Sequence, residues 1–433
     1  MRFQVTDLAT ALGARLEGPA VTVVDGLATD SRSVRPGQLF AAVRAERDGH
    51  DFVGDAGSAG AVAALVDHRV GDGACLVVPD VRAALVGMAG VAREQLPDRV
   101  VGVTGSVGKT TTKDLLAAVL SQEFVTAASE KSFNNELGVP LTLCNAPDEV
   151  EAVVVEMGAR GSGHIAFLCD MARPTVGVVT TVQAVHTELM GGEEQIARTK
   201  GELIDSLPDD GLAVLNAAVP LVAAMASRTA ARVLTFGLGG DVVATDVSVD
   251  ADLRPTFRLH SPWGETEVRL GVRGEHNVDN ALAAASVALF LGLSLEQVAA
   301  GLASSDQSPW RMDLRTTASG ARVLNDAYNA APASMAAALR SLASLDAVRR
   351  TAVLGVMAEL GERGPDEHRR VAELAAALGI RVVAVDTDLY GVAPVDGVDG
   401  ALDAVGELGE GDAVLVKGSR VVGLERVAAA LLG

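Results

Sequence analysis

The sequence predicts an α/β fold divided into three domains. Its 433 residues amount to about three domains of usual size, and 49% of them are hydrophobic, which is ample for several cores. Short valine-rich strands alternate with alanine-rich helical segments, and this alternation is typical of mostly parallel sheets covered by helices. Because only 3% of the residues are aromatic, alanine, valine and leucine must build the cores.

The first domain is predicted to span residues 1–97. Residues 4–16 are expected to form an amphipathic helix and residues 21–24 a strand, and short elements then alternate up to Pro97. The polar segment Asp30-Ser31-Arg32 lies between strands, and its chemistry alone favours a plain turn. We therefore expect a small α/β domain.

The second domain is predicted to span residues 98–310 and opens on a glycine-rich loop. Residues 99–103 form an apolar strand, residues 104–112 the loop and residues 113–120 a helix. A strand, a glycine turn and a helix N-terminus together make a cradle for phosphate groups. The loop has a short Thr-Gly-x-x-Gly-Lys-Thr form, since Val103 stands where the plain P-loop pattern has its first glycine.

The ligand that this loop implies is a nucleoside triphosphate. Lys109 can reach the outer phosphates, and the Thr110 hydroxyl can take magnesium. A glycine turn that only packs a helix is the alternative, but the Lys-Thr pair directly after the second glycine argues against it. The nucleotide-binding residues predicted in the loop are Gly105, Ser106, Val107, Gly108, Lys109, Thr110 and Thr111.

Three further polar side chains follow successive elements of this domain. Glu156 lies in a buried strand predicted at 153–157, His186 follows a strand at 175–181, and Lys200 lies on a helix at 193–207. Because the carboxyl ends of parallel strands meet at one edge of a sheet, the three could share a cleft, with Glu156 as a magnesium ligand. A helix-capping Glu, a loop His and a solvated Lys remain the alternatives.

A polar cluster precedes a strongly apolar helix predicted at residues 281–290. Asn280 or Asp279 could cap this helix. The helix explains the alanines but not the cluster around His276 and Asn277.

The third domain is predicted to span residues 311–433 as a second doubly wound, Rossmann-like unit. Its strands are expected at residues 321–324, 351–355, 381–385 and 413–416, alternating with alanine-rich helices. The ends of these strands carry three polar segments, at residues 326–329, 357–359 and 417–420.

Charge and cysteine content limit the function further. The net charge of −20 argues against binding to nucleic acid or to an anionic membrane. The three cysteines, Cys75, Cys144 and Cys169, lie far apart without metal-ligand spacing, which indicates free core thiols in a reducing compartment. The longest uncharged stretch is too short and too interrupted for a membrane span, so we expect a cytoplasmic protein.

The ordered motifs resemble those of the Mur ligases of peptidoglycan synthesis, and the resemblance covers essentially the whole chain. It includes the loop at residues 104–112, the segment 132–142 and Glu156-Met157-Gly158. The other matching segments are Asp30-Ser31-Arg32, Asp48-Gly49-His50, His186, residues 197–202, residues 276–280, residues 326–329, residues 359–361 and residues 417–420.

The resemblance implies a three-domain, ATP-dependent amide ligase, and we expect a monomer, although the sequence does not give the oligomeric state. Residues 1–97 would bind a UDP-sugar, residues 98–310 would bind ATP, and residues 311–433 would close over ATP and bring a dipeptide. In the family, ATP phosphorylates the terminal carboxylate of a UDP-muramoyl tripeptide, and an amine then attacks the acyl phosphate. Because the Asp-Asn-Pro-Arg signature of the diaminopimelate-adding relatives is absent, the resemblance favours the branch that adds D-alanyl-D-alanine.

The resemblance also implies roles for individual residues. Lys109, Glu156, His186 and Lys200 would be catalytic, and Thr110, Glu156, His186 and a carbamylated Lys200 would hold magnesium. His276, Asn277, Asn280, Arg311 and Asp326 would contact the nucleotide. The residues implied near the other substrates are Ser31, Arg32, Asn134, Asn135, Tyr328, Asn329, Lys417 and Ser419.

Three positions of the third domain depart from the family pattern: Asn325, Ala331 and Val356 stand where the pattern has Asp, Asn and Asp. The departures leave the ATP-binding motifs intact and bear on closure and second-substrate contacts. Two alternatives stay open at this point. One is another ligase of the superfamily, of the diaminopimelate-adding or folate polyglutamate type, and the other is a nucleotide-dependent binding protein without ligation.

Overall fold

The computed structural model describes residues 1–183 and 192–433, and three groups of sheets follow one another along the chain. In the first group, β1 (Arg2–Gln4) pairs antiparallel with β3 (Val23–Asp25). A five-stranded sheet follows in the order β2-β7-β6-β5-β4. Its strands are β2 (Arg15–Glu17), β4 (Leu27–Ala28), β5 (Leu39–Ala41), β6 (Ala63–Val66) and β7 (Cys75–Val77).

The predicted helix at residues 4–16 is shorter in the structure. Helix α1 covers Val5–Leu12 and ends at Gly13, whose φ of 61° is left-handed and suits a residue without a side chain. Arg15–Glu17 then pairs with β7, so sheet formation overrides the helical pattern there. The polar segment after β4 begins a single turn at Ser31–Ser33 that the Asp30 side chain caps, as the turn interpretation predicted.

The middle group is built on a six-stranded, entirely parallel sheet in the order β13-β12-β11-β8-β10-β9. Its strands are β8 (Val100–Thr104), β9 (Thr126–Ala128), β10 (Ala152–Glu156), β11 (Val176–Val179), β12 (Leu212–Asn216) and β13 (Arg232–Phe236). An antiparallel sheet follows it, formed by β14 (Val243–Val249), β15 (Pro255–Ser261) and β16 (Gly264–Arg269). In residues 1–183 and 192–303, the helices are α1, α2 (Val53–Ser58), α3 (Val81–Arg93), α4 (Lys109–Leu120), α5 (Gly138–Cys144), α6 (His164–Ala172), α7 (Glu193–Asp205), α8 (Pro220–Ala223), α9 (Asn277–Phe290) and α10 (Leu295–Ala303).

Two predicted helices start earlier than expected. Helix α4 starts at Lys109, directly after the glycine turn, and α9 starts at Asn277. The prediction that Asn280 or Asp279 caps α9 is wrong, because His276 occupies the capping position and no side chain caps the helix. Both residues lie in the first turn of the helix, where Asn280 bonds to other side chains.

The last group is a five-stranded sheet in the order β17-β18-β21-β19-β20, in which only β17 is antiparallel. The predicted strands all form, with bounds shifted by one or two residues. The strands are β17 (Asp313–Thr316), β18 (Arg322–Asn325), β19 (Arg349–Leu354), β20 (Arg381–Ala384) and β21 (Asp412–Lys417), and the helices are α11 (Pro332–Ser344), α12 (Gly364–Ala377), α13 (Gly397–Val405) and α14 (Glu425–Leu432).

One apolar core joins the N-terminal sheets to the middle sheet. It runs from Phe3 and Val24 through α3 to Val153 and Leu168. At the same junction, the buried Arg93 guanidinium donates to the carbonyls of Ala172, Arg173, Leu96 and Pro97 at 2.8–3.3 Å. The C-terminal sheet has a core on each of its two faces, and one of these cores includes Leu253 of the middle group.

All three cysteines are free and buried, as predicted. Burial raises the pKa of Cys144 and of Cys169 to about 12, so these thiols stay protonated. In the described part of the chain, we find no helix with the length and apolarity needed to cross a bilayer.

Candidate active site

The glycine-rich loop lies between β8 and α4 at the carboxyl edge of the parallel sheet. Gly108 has a φ of 88°, and a side chain there would collide with the Asn280 amide, so the turn requires glycine. The loop is held to the neighbouring strand end: Ser106 N donates to Thr181 O at 2.8 Å, and Thr180 Oγ1 donates to Val107 O at 2.6 Å. These bonds fix the backbone that faces the cleft.

Lys109 follows the turn as the first residue of α4. Its Nζ donates to Gly105 O at 2.7 Å and to Ser106 O at 3.3 Å, so the ammonium lies against the loop. Desolvation is the main cause that lowers the pKa of Lys109, and Arg311 adds to it, while Glu156 opposes the shift. An anion in the loop would favour the charged lysine.

Thr110 connects the loop to two other segments. Its hydroxyl lies 3.1 Å from Ser132 Oγ, and Arg311 Nη2 donates to it at 3.0 Å. The Arg311 guanidinium also stacks on the Tyr328 ring, 4.1 Å from the centroid. Arg311 therefore connects the glycine-rich loop to the C-terminal sheet.

Glu156 ends β10 beside this loop with 1% of its surface exposed. Its Oε1 accepts from Asn134 Nδ2 at 2.8 Å, but Oε2 is buried without a hydrogen-bond partner among the described residues. A buried carboxylate oxygen without a partner is costly, and a bound cation would satisfy it. Glu156 thus has the chemistry of a metal ligand.

Lys200 lies on α7 with 3% of its surface exposed and also lines the cleft. Desolvation, reinforced by the nearby charge of Lys109, lowers the pKa of Lys200 well below its ordinary value. Both causes disfavour the charged form of the side chain relative to the neutral amine. The interpretation of Lys200 as a solvated surface charge is wrong.

The first turn of α9 packs against the loop from the opposite side. Asn280 Oδ1 accepts from Thr112 Oγ1 at 3.2 Å, and Asn280 Nδ2 donates to Asn277 Oδ1 at 2.7 Å. Asn277 in turn donates to Arg273 O at 2.6 Å. This chain of bonds fixes the helix start, and with it His276, at the edge of the cleft.

The C-terminal wall is organised by a buried ion pair. Lys417 Nζ contacts Asp326 Oδ2 at 2.5 Å and donates to Asn329 O at 2.9 Å. Asp326 Oδ1 accepts from Met312 N at 3.1 Å, which ties this wall to the segment that carries Arg311. Lys417 is fully occupied by these contacts, so the geometry gives it a positioning role.

A second loop of this wall, residues 355–360, is held from behind. His368 Nε2 accepts from Met357 N at 2.8 Å while its Nδ1 donates to Gly364 O at 2.6 Å. Ser419 Oγ accepts from Ala358 N at 2.9 Å. The loop consequently presents Ala358, Glu359 and Leu360 to the cleft.

These walls enclose a cleft of about 850 Å³. Gly105 lies behind it, Ser31 and Arg32 lie in the N-terminal part away from it, and His186 lies outside the described residues. Arg32 instead pairs with Asp30 at 2.6 Å. The predicted residues that line the cleft are Ser106, Val107, Gly108, Lys109, Thr110, Thr111, Asn134, Asn135, Glu156, Lys200, His276, Asn277, Asn280, Arg311, Asp326, Tyr328, Asn329, Lys417 and Ser419.

Several cleft residues were not predicted. Thr180, Thr181 and Asn216 follow or end parallel strands, and the rule that ligands bind at carboxyl strand ends could have found them. Arg160, His164 and Phe167 belong to no motif. The sequence indicated them only by their closeness to Glu156 along the chain.

Two family models match most of this chain. Residues 103–288 match the Mur ligase middle domain, and residues 310–420 match the Mur ligase glutamate ligase domain. The chain belongs to the Mur ligase family. The predicted family and the predicted three-part α/β fold are confirmed.

Relatives of this Mur ligase carry specific names. The UDP-N-acetylmuramoyl-tripeptide–D-alanyl-D-alanine ligase of Mycobacterium tuberculosis is 42% identical over 93% of this chain and 91% of its own length. A solved UDP-N-acetylmuramoylalanyl-D-glutamyl-2,6-diaminopimelate–D-alanyl-D-alanyl ligase from Acinetobacter baumannii is 30% identical, covers 100% of this chain and 98% of its own, and has a TM-score of 0.86. The MurF ligase of Thermotoga maritima in complex with ADP is 29% identical, covers 94% and 97%, and has a TM-score of 0.81.

Proposed function

We propose that this Mur ligase joins D-alanyl-D-alanine to UDP-N-acetylmuramoyl tripeptide at the expense of ATP, in peptidoglycan precursor synthesis. The observation that carries the proposal is the meeting of three groups in one cleft: the glycine-rich loop, the buried Glu156 carboxylate and the buried Lys200, whose pKa is lowered by desolvation. The names of relatives that match nearly the whole chain supply the substrates.

The first step is transfer of the γ-phosphoryl group to a carboxylate. An oxygen of the tripeptide's terminal carboxylate attacks the γ-phosphorus, the bond to the β-phosphate oxygen breaks, and ADP leaves with its electron pair. Two anions must approach each other, so fixed positive charge is needed between them. Lys109, the loop amides and Arg311 supply that charge at the nucleotide end of the cleft.

The second step forms the amide. The neutral amine of the dipeptide attacks the acyl carbon, a tetrahedral intermediate forms, and phosphate leaves with the oxygen that the carboxylate contributed. The amine loses one proton in this step. We propose that Tyr328, Asn329, Lys417 and Ser419 shape the dipeptide side, the last two by holding the backbone of the wall.

Magnesium fits the residues beside the loop. Thr110 and Glu156 would hold one magnesium ion, and Glu156, His186 and a carbamylated Lys200 would hold a second. The Oε2 of Glu156, which has no hydrogen-bond partner among the described residues, supports the assignment. A bound magnesium ion neutralises charge on the transferring phosphoryl group.

We propose that Lys200 is carbamylated. Its neutral amine attacks carbon dioxide, a carbon–nitrogen bond forms and one proton is lost, which leaves a carbamate with a carboxylate-like end. The lowered pKa is what supports this step, because a protonated lysine has no lone pair for the attack.

The three segments divide the work in this proposal. Residues 1–97 bind the UDP-sugar with Ser31 and Arg32, residues 98–310 bind ATP, and residues 311–433 close over the nucleotide and bring the dipeptide. Asn134 and Asn135 lie between the first two and would face the tripeptide. The enzyme acts in the cytoplasm as a monomer.

The test incubates the purified chain with ATP, UDP-N-acetylmuramoyl tripeptide and one amine at a time, and follows phosphate release. Release with D-alanyl-D-alanine alone is the expected result. Release only with diaminopimelate or glutamate would replace the proposal with another ligase of the superfamily. Nucleotide binding without turnover for any amine would make the chain a binding protein.

A further inference from the structure

The end of the cleft beyond Glu156 carries a cation that the chemistry above does not use. Arg160 lies four residues after Glu156 on the loop that leaves β10, and its side chain lines the cleft. Of the three arginines that line the cleft, Arg311 bonds to Thr110 and Arg420 pairs with Glu425 at 2.6 Å. Arg160 has neither an ion pair nor a side-chain hydrogen bond among the described residues.

The backbone that carries Arg160 is fixed. Gly158 N donates to Asn134 O at 2.7 Å, and the same Asn134 binds Glu156 through its side chain. Arg160 N donates to His164 Nδ1 at 3.3 Å. The backbone that carries Arg160 is therefore held in place relative to Glu156.

Helix α6 is also locked to the helix that carries Lys200. Glu202 accepts from Gly163 N at 2.7 Å and from Ala166 N at 3.1 Å. His164, Phe167 and Leu168 follow the spacing of one helix face, and all three line the cleft beside Arg160. This end of the cleft thus combines a cation with an aromatic wall that suits an aliphatic chain carrying an anion.

We propose that Arg160 binds a carboxylate of the peptide substrate other than the one that is phosphorylated. This inference rests on the proposed function, which brings the UDP-muramoyl tripeptide into this cleft. A peptide of the alanyl-D-glutamyl-2,6-diaminopimelate type, as in the name of the A. baumannii relative, has a non-reacting carboxylate on the glutamyl residue and another on the diaminopimelyl residue. A planar guanidinium matches either one with two parallel hydrogen bonds.

The test compares steady-state kinetics of the full-length wild-type chain with Arg160→Gln. The KM for the UDP-muramoyl tripeptide should rise about 10- to 100-fold in Arg160→Gln, the range for a lost hydrogen-bonded charge pair. The KM for ATP and kcat should stay unchanged. Arg198→Gln removes a positive charge from the exposed side of α7, outside the cleft, and should behave like the wild type.

Two modified substrates identify the carboxylate. One tripeptide has its glutamyl carboxylate converted to an amide, and the other has lysine in place of diaminopimelate. The modification that removes the carboxylate bound by Arg160 should raise the wild-type KM for the tripeptide to that of Arg160→Gln. The same modification should leave the KM of Arg160→Gln unchanged. An unchanged KM in Arg160→Gln, or an equal loss on all three peptides, would overturn the proposal.

Wild-type turnover separates this inference from the proposed function. If the wild type releases phosphate with tripeptide and dipeptide while Arg160→Gln binds the tripeptide equally well, only the role of Arg160 fails. If the wild type releases none with any amine, the proposed function fails first. Arg160→Lys keeps the positive charge but loses the planar guanidinium. Its KM for the tripeptide should lie between those of the wild type and Arg160→Gln.

Discussion

Lys109 and Lys200 show how burial gives two lysines of one cleft different chemistry. Desolvation lowers the pKa of both lysines, but Lys109 keeps carbonyl partners and has Glu156 nearby to oppose the shift, whereas the charge of Lys109 adds to the shift of Lys200. The first suits binding of phosphate oxygens, and the second suits reaction as a neutral amine.

Lys109→Ala should abolish ligation. The variant removes the cation that lies against the triphosphate loop, so the negative charges that meet in phosphoryl transfer lose their neutralisation. We expect a fall in kcat of about 1000-fold or more, measured as phosphate release. Turnover at the wild-type rate would refute the role of Lys109.

Lys200→Ala should lose activity that a short carboxylic acid restores. If a carbamate provides the carboxylate-like group, added acetate can enter the space left by the side chain and supply the same oxygens. The measurement is phosphate release with increasing acetate, with Lys109→Ala as the matched variant that acetate should not rescue. Loss of activity without rescue by any short acid would count against the carbamate.

At the residue scale, the sequence motifs predicted the residues that lie near the glycine-rich loop. They predicted little of how the other side chains of the cleft are paired. The run Gly-Lys-Thr at 108–110 and the strand-end Glu156 lie where their patterns indicated. The pairing of Lys417 with Asp326 was not predictable, because the two residues lie far apart in sequence and meet only through the pairing of β18 with β21. Arg160 belongs to no motif and became visible only in the cleft.

At the scale of elements, the loop at residues 355–360 depends on α12 behind it. His368 is fully buried and must accept at Nε2 while donating at Nδ1, so only the neutral ring satisfies both bonds. Burial lowers the pKa of His368, and Tyr390 packs edge-on against its ring at 4.9 Å.

The lowered pKa of His368 predicts a pH-dependent stability. Above pH of about 6.5 the ring is neutral both folded and unfolded, and its contribution is complete. As pH falls below that value, His368 takes up a proton in the unfolded chain but stays neutral in the folded chain. The stabilising contribution of the neutral ring therefore decreases, and this decrease continues down to the pKa of His368 in the folded protein. His368→Gln should reduce the slope of the free energy of unfolding between pH 7 and 5.5 by up to about 1.4 kcal/mol per pH unit. Identical slopes in urea titrations of both proteins would contradict this.

Element types were predictable from periodicity, but several boundaries were not. The strands β8, β10 and β11 of the middle sheet and the parallel strands of the C-terminal sheet lie where valine-rich runs indicated them, whereas β9, β12 and β13 were not predicted. The helix predicted over residues 4–16 is too long because its apolar helical pattern continues past Gly13. In the structure, Arg15–Glu17 instead pairs with β7, and this backbone pairing has no local signal in the sequence. The start of α9 was missed because its first turn carries polar residues that serve the cleft.

At the scale of the whole molecule, the N-terminal and middle groups share one core, and the core on one face of the C-terminal sheet also includes Leu253 of the middle group. Arg93 strengthens the shared junction, since its buried guanidinium binds four carbonyls and has no carboxylate partner among the described residues. Arg311 joins the third part to the nucleotide loop through side-chain bonds.

Arg93→Met should weaken the junction. The variant keeps the apolar stem but leaves buried carbonyls without a donor, which we expect to lower the free energy of unfolding by about 2–4 kcal/mol. Arg82→Met, on the same helix with an exposed side chain, should change it little. Equal unfolding midpoints for Arg93→Met and the wild type in a denaturant titration would show that the hydrogen bonds of Arg93 contribute nothing to the free energy of unfolding.

The division into α/β units followed from length and alternation, and the order of strands within each sheet did not. Long-range pairing such as β8 between β10 and β11 has no local signature in the sequence. The shared core was also unexpected, because a domain boundary near Pro97 suggested separate packing.

The measurement that tests the account most directly is the fate of oxygen from the tripeptide. Tripeptide labelled with oxygen-18 in its terminal carboxylate is incubated with ATP, D-alanyl-D-alanine and the enzyme, and the phosphate released is examined by mass spectrometry. If that carboxylate is phosphorylated and the amine then expels phosphate, each phosphate carries one labelled oxygen. Phosphate without label, released while the peptide bond forms, would contradict the account.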